Sequence, residues 1–82
     1  LTANRPGGLP LSVCLDWLDD IITVEETFIR KAVLELLQQA HLLVEPGGAV
    51  GYAALLQGLA PASSVVVLSG GNLDLTRLQA WA

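Results

Sequence analysis

The sequence predicts an α/β protein in which a short parallel β-sheet is flanked by helices, in the order α-β-α-β-α-β-α. Three short runs rich in apolar and β-branched residues alternate with segments whose apolar residues recur at helical spacing. Alternation of this kind favours parallel strands joined by right-handed helical connections. The 82 residues hold no internal repeat and no low-complexity segment, so we expect a single α/β domain over residues 1–82.

The first quarter of the chain predicts a loop, a short helix and a strand. Residues 1–10 are rich in proline and glycine, which favours a loop. Leucines recur on one side of a helix over Leu11–Leu18, and Asp19 and Asp20 end that helix. The run Ile21–Val24 is rich in β-branched residues and is the first predicted strand.

The second helix has the clearest pattern in the chain. Thr23 and Glu26 have the spacing of a capping box, which places the start of this helix at residues 24–25. The helix is expected to end between Gln39 and His41. Its apolar stripe at helical spacing consists of Ile29, Ala32, Val33, Leu36 and Ala40.

The second half of the chain predicts two more strands and two more helices. Leu42–Val44 is a short strand, and Val65–Leu68 is a third one that stops at the hydroxyl of Ser69. Between them, a helix over residues 47–59 carries small or apolar residues on every side, which predicts burial on every side. A closing amphipathic helix spans Asp74–Trp81. Its inward residues are expected to be Leu75, Leu78 and Trp81.

The composition excludes several classes of protein. A hydrophobic content of 52%, a charged content of 15% and a mean hydropathy of +0.57 exceed what a free-standing domain of this size needs, so we expect other protein to cover apolar faces. A net charge of −4 with four scattered basic residues argues against nucleic-acid binding, and no stretch is long enough to span a membrane. Cys14 is the only cysteine, which fits a reducing compartment and hence a cytoplasmic location. No metal site is expected, because His41 has no second ligand at suitable spacing.

The end of the third predicted strand is the candidate ligand position. Ligands of open α/β sheets bind outside the carboxyl ends of strands, where Ser69 is followed directly by Gly70 and Gly71. The alternative is a serine that forms a local turn at a strand end. Glu45 likewise has a structural alternative, a carboxylate that satisfies free amides at a helix start.

Three segments together resemble the serine/threonine dehydratase family of pyridoxal phosphate (PLP) enzymes, which has the tryptophan-synthase-β-like fold type II. The first is Arg5–Gly7 followed by Asp19–Val24, the second is Val44–Ala49, similar to the family's E-P-x-G-A segment, and the third is Val67–Asn72, with Leu73–Leu75 after it. The resemblance covers nearly the whole chain and corresponds to the C-terminal part of the catalytic domain. It implies a partial version of the fold type II large domain.

The resemblance also implies the site residues. The serine at position 69 would hydrogen-bond the pyridine nitrogen of PLP, Glu45 would lie near the cofactor ring, and Gly70 and Gly71 would shape the wall beside it. A neutral hydroxyl does not hold that nitrogen protonated, so the ring is a weaker electron sink, which suits β-elimination better than transamination. The intact enzyme would convert a hydroxy amino acid to a 2-oxo acid and ammonia.

Two parts of the family pattern are absent from these 82 residues. The Schiff-base lysine and the glycine-rich phosphate loop lie in an N-terminal region, and Lys31 sits on the polar side of a helix beside Arg30. We therefore assign no catalytic residue, expect the chain alone to be inactive and to bind no PLP, and expect the remainder of the catalytic domain or a homo-oligomer to cover its apolar faces. The alternative is a non-catalytic, enzyme-derived α/β module that self-associates or binds a protein partner.

Overall fold

The computed structural model describes residues 7–71 and 74–81, and this part of the chain forms four α-helices. Helix α1 spans Gly8–Trp17, α2 spans Glu26–Ala40, α3 spans Pro46–Leu56 and α4 spans Leu75–Trp81. The four predicted helices are all present, each within a few residues of its expected position. The motif residues Arg5, Pro6, Asn72 and Leu73 lie outside the described residues, as does most of the predicted loop over 1–10.

The predicted α/β fold is wrong, because residues 7–71 and 74–81 contain no β-strand and therefore no parallel sheet. Ile21–Val24, Leu42–Val44 and Val65–Leu68 are all irregular. A sheet requires a ladder of hydrogen bonds between neighbouring strands. No described backbone hydrogen bond joins the second segment to the third, and the nearest one, of 2.9 Å from the N–H of Glu45 to the carbonyl of Gly70, lies just beyond the ends of both. A β-branched composition favours extended backbone, but it does not supply the partner strand.

Helices α2 and α3 pack against each other and form the core. The apolar stripe predicted on α2 is confirmed except at its last residue, Ala40, which is exposed. Alanines on the facing side of α3 allow the two helix backbones to approach closely. The buried residues of this core cluster are Ile29, Ala32, Val33, Leu36, Val44, Ala49, Ala53 and Leu78.

Both ends of α2 are informative. The predicted end is confirmed: His41 adopts the left-handed conformation (φ 57°), and the N–H groups of His41 and Leu42 both donate to the carbonyl of Leu36. The predicted capping box does not form, because the N-cap is Glu25 and Thr23 lies two residues before it. No side chain caps this end, and the N–H of Glu25 instead donates to Oε1 of Gln57 at 3.0 Å.

Helix α3 begins with Pro46 at its first position, where proline lacks only an N–H that would be unsatisfied there. The prediction that this helix is buried on every side is wrong. Gly48, Ala49, Ala53 and Ala54 are buried, whereas Gly47 and Gly51 are exposed.

Helix α1 stands apart from this core. It begins at Gly8, earlier than predicted, and none of its residues is buried. Among the described helices, only the pairs α2–α3 and α2–α4 pack together. The side chain of Trp17 is 81% exposed, so it packs little against the described part of the chain. No described helix is both long and apolar enough to cross a membrane.

Candidate functional site

The segment that ends in Ser69, Gly70 and Gly71 lies against the start of α3. The N–H of Glu45 donates to the carbonyl of Gly70 at 2.9 Å, and the N–H of Ser69 donates to the carbonyl of Gly48 at 3.3 Å. Two motifs that are far apart in the sequence therefore meet in direct backbone contact. The four residues predicted to surround a cofactor, Glu45, Ser69, Gly70 and Gly71, lie together.

Gly48 is the closest point of this contact. A Cβ atom at this position would overlap the carbonyl oxygen of Ser69, and it would lie 3.1 Å from Cγ1 of Val44. Because backbone cannot move aside as a flexible side chain can, only glycine allows the Ser69 segment to lie this close. Gly48 occupies the glycine position of the E-P-x-G-A pattern.

Gly70 and Gly71 complete the contact from the other side. Gly70 has a φ of +75°, and a Cβ atom there would overlap Oε1 of Glu45. At Gly71 a Cβ atom would lie 3.1 Å from the carbonyl oxygen of Leu43. The carboxylate of Glu45 therefore lies against the backbone of Gly70, in a space that any side chain at position 70 would fill.

The rest of the irregular segment packs along α3 with alternating side chains. Val66 and Leu68 are half-buried, and a Cβ atom at Gly51 would lie 2.8 Å from Cγ1 of Val66. Val65 and Val67 point away and are 95% and 79% exposed. Small residues on α3 thus leave room for the segment to pack, and this packing determines the position of Ser69.

Glu45 is the N-cap residue of α3, so its carboxylate lies near the positive end of the helix dipole. Its backbone carbonyl accepts the N–H groups of Gly48 and Ala49 at 2.9 and 3.0 Å. Its side chain makes no capping hydrogen bond. The alternative in which this carboxylate satisfies free helix amides is therefore wrong, and the side chain is available beside Gly70.

The resemblance implies that these residues lie at the edge of a flat, polar cofactor ring. The serine at position 69 is exposed, and its hydroxyl has no hydrogen-bond partner within the described residues. The backbone of Gly48 lies against the carbonyl of Ser69, and the Glu45 carboxylate lies against the backbone of Gly70. A hydroxyl that can donate to or accept from a ring nitrogen is the donor type that the resemblance implies.

Lys31 does not reach this site. Its side chain is exposed on α2 and lines an open cavity of about 560 Å³ between α2 and α4, which no residue of 45–71 lines. Trp81 lines the same cavity, and the guanidinium of Arg30 lies 5.9 Å from the centre of its ring. That this lysine does not serve as the Schiff-base nucleophile stays a prediction.

Sequence analysis missed one polar contact in the core. The hydroxyl of Tyr52 on α3 donates to Oε1 of Glu35 on α2 at 2.9 Å. This hydrogen bond raises the pKa of Tyr52 above its ordinary value, and burial and the charge of Glu35 act in the same direction. This hydrogen bond contributes to the orientation of α3, whose N-cap residue is Glu45, against α2.

Comparison with known proteins identifies relatives of one kind. The catabolic L-threonine dehydratase of Escherichia coli K12 is 36% identical over 80 residues, which cover 92% of this chain and 24% of the relative. The L-threonine ammonia-lyase of Geobacter sulfurreducens is 38% identical over 78 residues, covering 92% of this chain and 19% of the relative. The biosynthetic L-threonine dehydratase of Halalkalibacterium halodurans is 38% identical over 79 residues, covering 93% and 19%.

The chain therefore spans about a fifth to a quarter of the length of these relatives. No protein-family model matches the chain. No solved structure matches it either. At this level of identity over almost the whole chain, the resemblance indicated by the three motifs is confirmed, and the 82 residues are similar to one segment of L-threonine dehydratases.

Proposed function

We propose that this chain is the C-terminal segment of the catalytic domain of a PLP-dependent threonine/serine dehydratase-like ammonia-lyase. The complete enzyme would eliminate water from a hydroxy amino acid and release a 2-oxo acid and ammonia. The observation that carries the proposal is the direct contact of the Glu45 segment with the Ser69–Gly71 segment, in a chain whose relatives are threonine dehydratases.

Ser69 and Glu45 have different roles in this proposal. Bound PLP would supply the electron sink that such an elimination requires. The hydroxyl of Ser69 would hold the ring nitrogen through a neutral hydrogen bond, which leaves that nitrogen unprotonated. Glu45 would lie at the edge of the ring, and Gly70 and Gly71 would leave room for it. The lysine and the phosphate-binding loop would come from the rest of the catalytic domain, so we expect the chain alone to be inactive and to bind no PLP.

The exposed apolar side chains support a partner within the same enzyme. Val65, Val67 and Trp17 are each about four-fifths or more exposed, and α1 buries nothing. Apolar surface of this extent marks a site of contact with other protein. We propose that the remainder of the catalytic domain or a second copy of the enzyme covers it. We also propose that the enzyme is cytoplasmic, a location that the single cysteine of these 82 residues suits.

Complementation tests this function. The purified chain is mixed with a fragment that supplies the preceding part of an E. coli-type threonine dehydratase, and PLP absorbance and ammonia release from threonine and serine are measured. We expect the PLP–lysine absorbance band and ammonia release to appear only in the mixture. A mixture that forms a stable complex yet never binds PLP would contradict the proposal.

The role of Ser69 is tested in the same complemented enzyme. Ser69→Ala should change the absorbance of bound PLP and lower turnover about tenfold, the worth of a neutral hydrogen bond. Ser63→Ala is the matched control, because Ser63 is exposed and lies outside the contact with α3. Equal spectra and turnover in the two variants would remove Ser69 from the site.

A second function is favoured by the exposed apolar surface of α1. The chain would be a non-catalytic module that self-associates or binds a protein partner. Its solution mass, measured with and without the complementing fragment, distinguishes the two functions. A defined oligomer whose mass is unchanged by the fragment supports the non-catalytic module. A one-to-one complex with the fragment that binds PLP supports the lyase.

A further inference from the structure

We propose that Gly48 is a positioning residue for the Ser69 hydroxyl, and that its lack of a side chain sets where this hydroxyl stands relative to Glu45. The inference rests on the proposed function, since it adds a residue to the same site. Gly48 would touch neither substrate nor cofactor and would act only through Ser69.

The backbone of Ser69 is held at Gly48 by two contacts. Its N–H donates to the carbonyl of Gly48, and its carbonyl oxygen occupies the place that a Cβ atom at position 48 would take. Both polar backbone groups of Ser69 thus face the first turn of α3. A methyl group at position 48 would have to displace backbone, so it would shift the residue that carries the hydroxyl.

A second pair of contacts fixes the opposite side of Ser69. Gly70 follows it, accepts the N–H of Glu45 at 2.9 Å, and has the Glu45 carboxylate against its Cα. Ser69 is therefore held between two anchor points, Gly48 on α3 and Gly70 at Glu45. Displacing either anchor changes the separation between the hydroxyl and the carboxylate.

The neighbouring glycine shows that the requirement is local. Gly47 belongs to the same first turn of α3, but a Cβ atom there would meet nothing within 4 Å. Gly47→Ala and Gly48→Ala therefore make the same chemical change at adjacent helix positions, and only the second one meets Ser69. The pair separates positioning from any general effect of alanine in this helix.

The first experiment uses the 82-residue chain without cofactor. Amide hydrogen exchange is measured by NMR at Ser69 and Glu45, the two residues whose N–H groups make the bonds between the segments. We expect exchange at both amides to accelerate about tenfold or more in Gly48→Ala and to stay unchanged in Gly47→Ala. Equal exchange in the two variants would overturn the proposal.

The second experiment uses the complemented, PLP-bearing enzyme and a double-mutant cycle. If Gly48 acts through the hydroxyl, Gly48→Ala should weaken PLP binding about tenfold when Ser69 is present and change it less than twofold in the Ser69→Ala background. Equal effects in both backgrounds would leave Gly48 a structural role only and would overturn the inference. If Ser69→Ala itself leaves PLP binding unchanged, the proposed cofactor role fails, while the exchange experiment still decides whether Gly48 positions Ser69.

A second variant covers the case in which Gly48→Ala does not fold, as judged by its helical circular dichroism. Gly70→Ala alters the other anchor outside any helix, where Glu45 occupies the space for a side chain. Its control is Gly58→Ala, since Gly58 has a similar φ of +79° but open space around it. Faster exchange at Ser69 in Gly70→Ala alone supports the two-anchor geometry, and equal exchange in both variants overturns it.

Discussion

A hydrogen bond between the side chains of Tyr52 and Glu35 joins α3 to α2. Neither residue stands out in the sequence, because a tyrosine among alanines and a glutamate on an amphipathic helix both have ordinary alternatives. Their pairing depends on how α2 and α3 are rotated against each other, which periodicity does not determine. Tyr52 is the only tyrosine of the chain, so its ionisation can be observed directly.

We predict that the stability of the folded chain falls above about pH 10 because of Tyr52. The raised pKa of the folded state means that the unfolded chain, with an ordinary pKa of about 10, loses the tyrosine proton first as pH rises. The stabilisation is therefore complete below the unfolded pKa and is lost as pH rises through the folded one. Glu35→Ala should lower the pKa of Tyr52 towards its ordinary value and flatten this part of the stability profile.

A titration of tyrosinate absorbance, combined with urea unfolding across the same pH range, measures both effects. Glu26→Ala is the matched control, because it removes a carboxylate from α2 that pairs with Arg30 instead. If Tyr52 titrates identically in the two variants, the hydrogen bond to Glu35 is not what raises its pKa.

The site residues differ in how far sequence could predict them. Ser69 and Glu45 were identified by motif resemblance, and the structure brings them together; whether they bind a cofactor stays a prediction. The role of Gly48 was out of reach, because a glycine in a helix shows its purpose only when the backbone that crosses it is known. That crossing links two segments through the fold and leaves no local pattern.

At the scale of elements, α2 and α1 are opposites. The apolar residues of α2 recur along one face and are buried against α3, whereas α1, which is more apolar on average, buries none. The sequence predicts both as helices, since local spacing is enough for that. It does not reveal which helix has a neighbour, because hydrophobicity alone does not choose a partner.

We predict that Leu36→Ala destabilises the chain by about 2–5 kcal/mol, since it removes a buried leucine from the core. Leu15→Ala makes the same change on α1, at a side chain that is 76% exposed, and should alter the free energy of unfolding by less than about 0.5 kcal/mol. Urea unfolding followed by circular dichroism gives both values. A comparable loss in Leu15→Ala would show that α1 is packed in solution.

The three predicted strands failed for one reason. Their β-branched residues favour an extended chain, and alternate side chains of Val65–Leu68 do pack against α3. Pairing into a sheet needs a second strand alongside, and composition does not report whether one exists. The capping box did not form because α2 begins at Glu26, which makes Glu25 rather than Thr23 the N-cap residue. A four-residue pattern does not by itself determine the residue at which a helix begins.

At the scale of the whole molecule, the chain is less compact than a typical domain of its length. Its radius of gyration is 13.9 Å, against about 12 Å for a compact domain of 82 residues. The high hydropathy predicted uncovered apolar faces, and exposed side chains on α1 and on residues 65–67 agree with that prediction. In the proposed enzyme, the remainder of the catalytic domain or a second copy of the enzyme would cover them.

We predict that the isolated chain self-associates through Val65 and Val67, the most exposed valines. The double substitution Val65→Thr and Val67→Thr keeps the shape of both side chains but adds hydroxyls, so it should weaken association without changing helix content. Val66→Thr is the control, because Val66 packs against Gly51 and should affect stability more than association. Sedimentation over a range of protein concentrations measures the outcome. Association that persists unchanged in the double variant would place the contact elsewhere.

The α2–α3 pair also bears on the order in which the site is assembled. The two helices are joined by the five residues 41–45, so their packing depends on contacts between near neighbours in the chain, which form quickly. In the chain, α2, Glu45 and Gly48 all precede Ser69. The segment that carries Ser69 is more distant from α2 in the chain and packs across α3, so we expect its contact at Gly48 to form after the α2–α3 contact.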